Sequence, residues 1–285
     1  MGASLCGIMA CAALAAACPA LAQEAALTPL ADGRLTVAAT AGAQDLQLVF
    51  DTGASRTLFS DAGAARLGLA PTGGPMTLLR GPAGVEARPT YRAPGIIFAQ
   101  AAFSPADGPV LTGSVADGVL GADLMRSATV EFDGPAGRVT LHKDARRFAR
   151  WDIVPAVRTP NGLTLVEVTV AGAPAVALLD TGAARSVANG ALAARLTCSG
   201  AAEAVAGVDG TARPARACEP TGVAALGVHK QASLTACDLA LFESLGLKDR
   251  PALILGLDVL RDARFVLDGP SGGVFAPPAT ALAAR

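Results

Sequence analysis

The sequence predicts an all-β protein folded as two pseudo-twofold-related lobes with a cleft between them, and three observations predict it. Apolar residues alternate over short runs broken by Gly and Pro, which number 32 and 19 in 285 residues, as expected of strands joined by tight turns. The segment Val49-Phe50-Asp51-Thr52-Gly53-Ala54 recurs as Leu178-Leu179-Asp180-Thr181-Gly182-Ala183. Further on, Gly121-Ala122-Asp123-Leu124-Met125-Arg126 recurs as Gly256-Leu257-Asp258-Val259-Leu260-Arg261, and Asp133-Gly134-Pro135 as Asp268-Gly269-Pro270. Matches in the same order at nearly constant offset mark a duplicated unit. A hydrophobic content of 52% supplies a core for each copy.

Residues 1–22 are almost wholly apolar and end in Ala20-Leu21-Ala22, the small-x-small pattern of a signal peptide, so export with cleavage after Ala22 is expected, to the periplasm or the medium. No Lys or Arg precedes the apolar run. A buried Ala-rich helix is the bland alternative. Lipidation at Cys18 is disfavoured because Leu14 lies one place too far upstream. No later stretch is apolar for the roughly 18 residues a membrane span needs, so the mature chain should not cross a membrane. The expected organisation is a first lobe over 23–145, a charged linker over 146–160 and a second lobe over 161–285.

Within each lobe the elements come in one order. Leu35 to Thr40 and Asp45 to Phe50 read as a hairpin around Gly42, and Leu163 to Val170 with Ala175 to Leu179 repeat it. Each Asp-Thr-Gly therefore sits where a buried strand ends. Short helical segments are expected at Ala62 to Leu67 and Ala188 to Leu196, followed by hairpins with tips near Gly81 to Gly84 and near Asp209-Gly210 that project as flaps. Asp123 and Asp258 read as helix caps, and the repeated Arg126 and Arg261 as partners in surface or interlobe ion pairs. Trp151 reads as core or interface filler.

Three cysteines, Cys198, Cys218 and Cys237, lie beyond the signal segment. An exported chain should then hold one disulfide and one free thiol, and spacing alone does not settle which. Cys198 and Cys218 lie equally far from the Val208-Asp209-Gly210 tip and would face each other across it, which favours that pair.

Burying an ionised carboxylate costs several kcal/mol unless it is hydrogen-bonded or shares a proton, so one Asp-Thr-Gly at a strand end is more often a turn. Two copies in a duplicated chain differ, because twofold packing would bring Asp51 and Asp180 together. Carboxylates about 3 Å apart hold one proton between them, which lets one accept a proton from water while the other donates to a substrate carbonyl. Neither metal nor cofactor is called for. A net charge of −1 with 16% charged residues gives no basic field for nucleic acid. His142 and His229, the only histidines, give neither zinc-ligand spacing nor a partner for a cysteine nucleophile. A glycosidase could also use paired carboxylates, although nothing in that chemistry requires a Thr-Gly after each.

Asp51-Thr52-Gly53-Ala54 and Asp180-Thr181-Gly182-Ala183, with Val119-Leu120-Gly121 and Ile254-Leu255-Gly256, resemble the retropepsin and pepsin group of aspartic proteases, most closely bacterial retropepsin-like proteins with two fused halves. The resemblance implies β-barrel lobes of the acid protease fold and an endopeptidase working through an Asp51/Asp180 dyad. It implies that Thr52, Gly53 and Ala54, with Thr181, Gly182 and Ala183, support the dyad, the threonines linking the two loops. A peptide or unfolded-protein substrate would lie extended between the lobes, under hairpins marked by Gly81, Gly84, Asp209 and Gly210. Ala54 and Ala183 match the retropepsin pattern rather than the hydroxyl residue common in pepsins, from which a milder pH optimum is expected. Two complete halves make a monomer sufficient. The alternative is a non-catalytic peptide-binding or chaperone-like module on the same fold.

Overall fold

Both lobes open with the same hairpin, seen in a computed structural model that describes residues 23–82, 84–113, 116–207 and 211–278. Leu35–Ala41 pairs antiparallel with Gln44–Phe50, and Thr164–Val170 pairs in the same way with Ala173–Leu179. Gly42 and Gly172 take positive φ of 57° and 76° at the two turns, a conformation that glycine adopts without steric cost. The expected signal segment and its cleavage point lie outside the described residues.

A strand from much later in each half then inserts beside the hairpin. Gly118–Leu120 runs parallel to Leu48–Phe50 and antiparallel to Leu58–Phe59. Ala252–Leu255 likewise runs parallel to Val176–Leu179 and antiparallel to Val187–Ala188. These strands are covered on both faces, which is why they read as unbroken apolar runs rather than alternating ones. Each aspartate lies in the loop that leads from the hairpin to the short strand Leu58–Phe59 or Val187–Ala188 on the far side of the returning strand.

The lobes are joined by a six-stranded sheet in the order Gln23–Ala26, Arg138–His142, Thr129–Asp133, Arg264–Asp268, Val274–Ala276, Asp152–Ile153. Its central pair takes one strand from each half, in register from Thr129 opposite Asp268 to Asp133 opposite Arg264. Phe132 and Phe265 stack across that seam at 5.1 Å. Buried Glu131 accepts from Arg264 Nε at 2.6 Å and bonds His142 Nε2 at 2.7 Å. Burial alone would raise its pKa, but these two partners outweigh it and hold the carboxyl below its ordinary value.

Helices are few and short. Asp61–Arg66 is capped by Ser60, whose Oγ accepts from Gly63 N–H at 3.1 Å. In the second lobe Ala188 ends a strand and Asn189 supplies the N-cap, so the helix is only Gly190–Ala193 instead of the expected Ala188 to Leu196. Residues 146–160, expected as the linker, contain a turn of 3₁₀ helix at Arg146–Phe148 and the strands Asp152–Ile153 and Ala156–Arg158. Trp151 packs edge-on to Phe148 at 4.8 Å and under the Arg264 guanidinium at 5.0 Å, as filler of this joint. Among the described residues no helix is long and apolar enough to cross a membrane.

Candidate active site

Asp51 and Asp180 stand at the ends of equivalent strands, and each is drawn into its loop by the same bonds. Asp51 N–H donates to Leu120 C=O at 3.0 Å, and Asp180 N–H to Leu255 C=O at 3.1 Å. Asp51 Oδ1 accepts from Gly53 N–H at 2.8 Å and Ala54 N–H at 2.9 Å. Asp180 Oδ1 accepts from Gly182 and Ala183 N–H, both at 3.0 Å. The two carboxyl groups meet across the loops, close enough for each to alter the other's proton affinity.

Glycine is required beneath each carboxyl. A Cβ added at Gly53 would fall inside the carboxyl group of Asp180, and one at Gly182 inside that of Asp51. Each loop therefore forms the floor under the opposing aspartate, and any side chain there would drive the pair apart.

The threonines tie the loops across the pseudo-twofold axis. Thr52 N–H donates to Thr181 Oγ1 at 3.0 Å, and Thr181 N–H to Thr52 Oγ1 at 3.1 Å. The hydroxyls then donate onward, Thr52 to Leu179 C=O at 2.8 Å and Thr181 to Phe50 C=O at 2.6 Å. Both threonines are buried, so these four bonds satisfy groups that water cannot reach.

The shared environment raises both acids. Asp51 is pushed up by burial, against which the Gly53 and Ala54 amides, Asp180 and the charge of Arg34 all pull downward. Asp180 is pushed well above the ordinary carboxylate range, first by burial and then by the negative charge of Asp51, with its two amides offsetting only part. Both acids are therefore raised together, and the pair titrates as one unit that holds a proton between its two members. Both residues retain partial exposure at the junction of the lobes, so a reactant can meet them.

Sequence reasoning missed a second tier that braces the loops. Thr57 donates its N–H at 2.9 Å and its hydroxyl at 2.8 Å to Asp123, while its Oγ1 accepts from Gly121 N–H at 3.1 Å. In the other lobe Ser186 Oγ donates to Asp258 at 2.6 Å and accepts from Gly256 N–H at 3.0 Å. Asp123 and Asp258 are thus not caps for their helices, which begin at Gly121 and Gly256 with no side-chain cap. The signal was present, since Thr57 and Ser186 each lie six residues after a dyad aspartate. Arg126 and Arg261 form no repeated ion pair either. Arg261 donates to the main-chain carbonyl of Gly33, and the Arg126 side chain packs against Gly162.

The hairpin around Gly81 and Gly84 is built from Thr77–Arg80 and Val85–Arg88, closed by Gly81 N–H to Gly84 C=O at 3.0 Å. It reaches the other lobe, where Pro82 C=O accepts from Leu241 N–H at 3.2 Å. Its counterpart, Cys198–Ala206 with Ala212–Cys218, is longer, and a Cys198–Cys218 disulfide staples its base. Cys237 is a free, buried thiol. Asp209 and Gly210, expected at the tip of this second hairpin, lie outside the described residues. A cavity of about 430 Å³ beneath the hairpin's base, bordered by Arg213, Arg216 and Cys237, touches neither aspartate.

Residues 35–124 and 166–259, more than half of the chain, match a family model described as aspartyl protease, once per lobe. A search of curated proteins finds no match.

Proposed function

The chain belongs to the aspartyl protease family, and from that premise we propose that it is an exported aspartic endopeptidase whose Asp51/Asp180 dyad hydrolyses peptide bonds. One observation carries this reading: two carboxyls brought together from equivalent loops, each seated over the opposing glycine and both raised by their shared buried setting.

The chemistry rests on the proton inventory. The ionised member of the pair removes a proton from a water molecule held between them, and the resulting oxygen nucleophile attacks the scissile carbonyl carbon. The protonated member gives its proton to the carbonyl oxygen, so a neutral gem-diol forms. Collapse of the diol returns a hydroxyl proton to the member that donated, while the other passes the proton taken from water to the leaving amine. The dyad is thereby restored with no covalent intermediate. The amides of Gly53, Ala54, Gly182 and Ala183 are preorganised by the loops and need not reorient during the reaction.

Peptide is the substrate because the site lies between lobes that offer hairpins from either side, an arrangement suited to an extended chain. Export, to the periplasm or the medium, is supported by the Ala20-Leu21-Ala22 pattern and by the Cys198–Cys218 disulfide. A single chain supplies both aspartates, so the working unit is a monomer.

The test is cleavage of an unfolded protein by the mature chain and by Asp51→Asn and Asp180→Asn across acidic to neutral pH. Wild type should cut with a bell-shaped pH profile, and each variant should lose about 10²–10⁴-fold in kcat. An inert wild type, or variants that cut as well as it does, would overturn the assignment.

A further inference from the structure

The duplication that builds the dyad breaks at a turn beside the dyad loops. In the second lobe the turn from Thr159 to Leu163 is closed by Thr159 N–H to Leu163 C=O and Gly162 N–H to Thr159 C=O, both 2.9 Å, with Gly162 at φ 87°. The first lobe makes the same turn from Leu30 to Arg34, with Leu30 N–H to Arg34 C=O at 2.9 Å, Gly33 N–H to Leu30 C=O at 3.0 Å and Gly33 at φ 86°. Matching these bonds puts Arg34 where the other lobe has Leu163, and Asp32 where it has Asn161.

The two residues have opposite fates. Leu163 is 5% exposed and packs in the apolar cluster with Leu178 and Ile254. Arg34 keeps 21% of its side chain accessible and lies beside Asp32, which its Nε and Nη2 contact at 2.8 and 2.6 Å. Its Nη1 has no partner among the described residues, so one edge of a planar five-donor group remains open.

The turn that carries Arg34 lies against the second lobe's dyad loop. Arg261 of the second lobe holds the Gly33 carbonyl, and a Cβ at Gly33 would stand 3.5 Å from Ala184, the residue after Asp180-Thr181-Gly182-Ala183. The turn therefore rests on the second lobe's dyad loop, and the positive charge of Arg34 is felt at Asp51.

Building on the protease reading above, we propose that Arg34 is a specificity-determining residue that receives an acidic side chain, Asp or Glu, of the peptide on one side of the scissile bond only. The pseudo-twofold position on the other side carries Leu163 and offers no charge. A guanidinium suits this task because it presents paired N–H groups to a carboxylate in a fixed plane. Asp32 keeps the group aimed and tempers its charge.

The experiment walks a single Asp or Glu, each against its amide Asn or Gln, along an otherwise apolar peptide that the mature chain cleaves. It is run above about pH 5, where these side chains are ionised. The readout is the acid-to-amide ratio of kcat/KM at each position, so any change in overall rate from the altered field on Asp51 cancels. Wild type should favour the acid roughly fivefold at a position on one side, and the ratio should shrink as salt is raised. Arg34→Leu should bring the ratio to about one, Arg34→Lys should retain part of it, and Asp32→Asn should increase it. Equal preference on both sides, or a ratio that survives Arg34→Leu, overturns the proposal. A wild type that cleaves but ignores charge sinks this inference alone, whereas one that cleaves nothing sinks the protease reading with it.

Discussion

Around the dyad the two lobes are near copies, and away from it they diverge. The aspartates, their amide donors, the threonine exchange and the glycine floors match bond for bond within about 0.2 Å. Outside that ring, Thr57 has a serine counterpart, Arg34 a leucine, and the short hairpin of Thr77–Arg80 with Val85–Arg88 has as its counterpart a longer one stapled by a disulfide. Symmetry persists where the two halves must meet on each other's atoms. It lapses at the turns and hairpins around that centre.

The comparison is tested most severely at its symmetric centre. Gly53→Ala and Gly182→Ala should each lower kcat by at least about 100-fold, because a displacement of an ångström at reacting groups costs that much. Equal losses in the two variants, measured by steady-state kinetics, would sustain the equivalence of the lobes. A well-tolerated alanine on either side would break it.

Next come the threonines. Thr181→Val leaves the N–H of Thr52 and the carbonyl of Phe50 unpaired in a buried site, and Thr52→Val does the same to Thr181 and Leu179. Each should cost about 2–4 kcal/mol in urea unfolding, again nearly equally. The braces should separate the lobes. Asp123 accepts from both the N–H and the hydroxyl of Thr57, whereas Asp258 accepts the hydroxyl of Ser186. Asp123→Asn should therefore cost about 2 kcal/mol and Asp258→Asn about 1 kcal/mol by the same assay.

The smallest effect concerns pH. Asp180 has a folded-state pKa raised above its ordinary 3.8, so between those values the native state keeps a proton that the unfolded chain has lost. Stability must then fall as pH rises through that window. Asp180→Asn removes the ionisation, and its thermal midpoint should exceed that of wild type at neutral pH while the two converge in acid. Glu131 at the interlobe sheet behaves oppositely. Its pKa is lowered from 4.5, so the stability it contributes is present above that value and is lost as pH falls through the lowered one. Glu131→Gln should accordingly flatten the acid limb of the melting profile and leave the neutral limb lower.

The repeated triplets and the Gly-anchored strands were open to sequence reasoning because they obey local rules. A buried strand must be apolar, a turn at positive φ must favour glycine, and two copies of a rule in one chain announce a duplication. The hairpin pairing of Cys198 with Cys218 was legible for the same reason, since the two residues are equidistant from a tip. Asp123, Asp258, Arg126 and Arg261 stood out as repeated, yet their partners did not. Thr57 lies 66 residues from Asp123, and Gly33 lies 228 from Arg261, distances at which periodicity carries no information. Arg34 was less visible still, because a residue whose repeat counterpart is leucine leaves no match to notice.

From the sequence alone came the duplication, the β character, the position of each aspartate at the end of a strand and the expectation that the two would meet. Tertiary structure decided what depends on distance between remote parts of the chain. It set which threonine reaches which carbonyl, where the braces anchor and which turn beside the site carries a charge. A pattern of side chains along one strand is governed by burial and backbone geometry within a few residues. The proton affinity of Asp180 is raised first by burial and then by a carboxylate 129 positions earlier, and only folding supplies either.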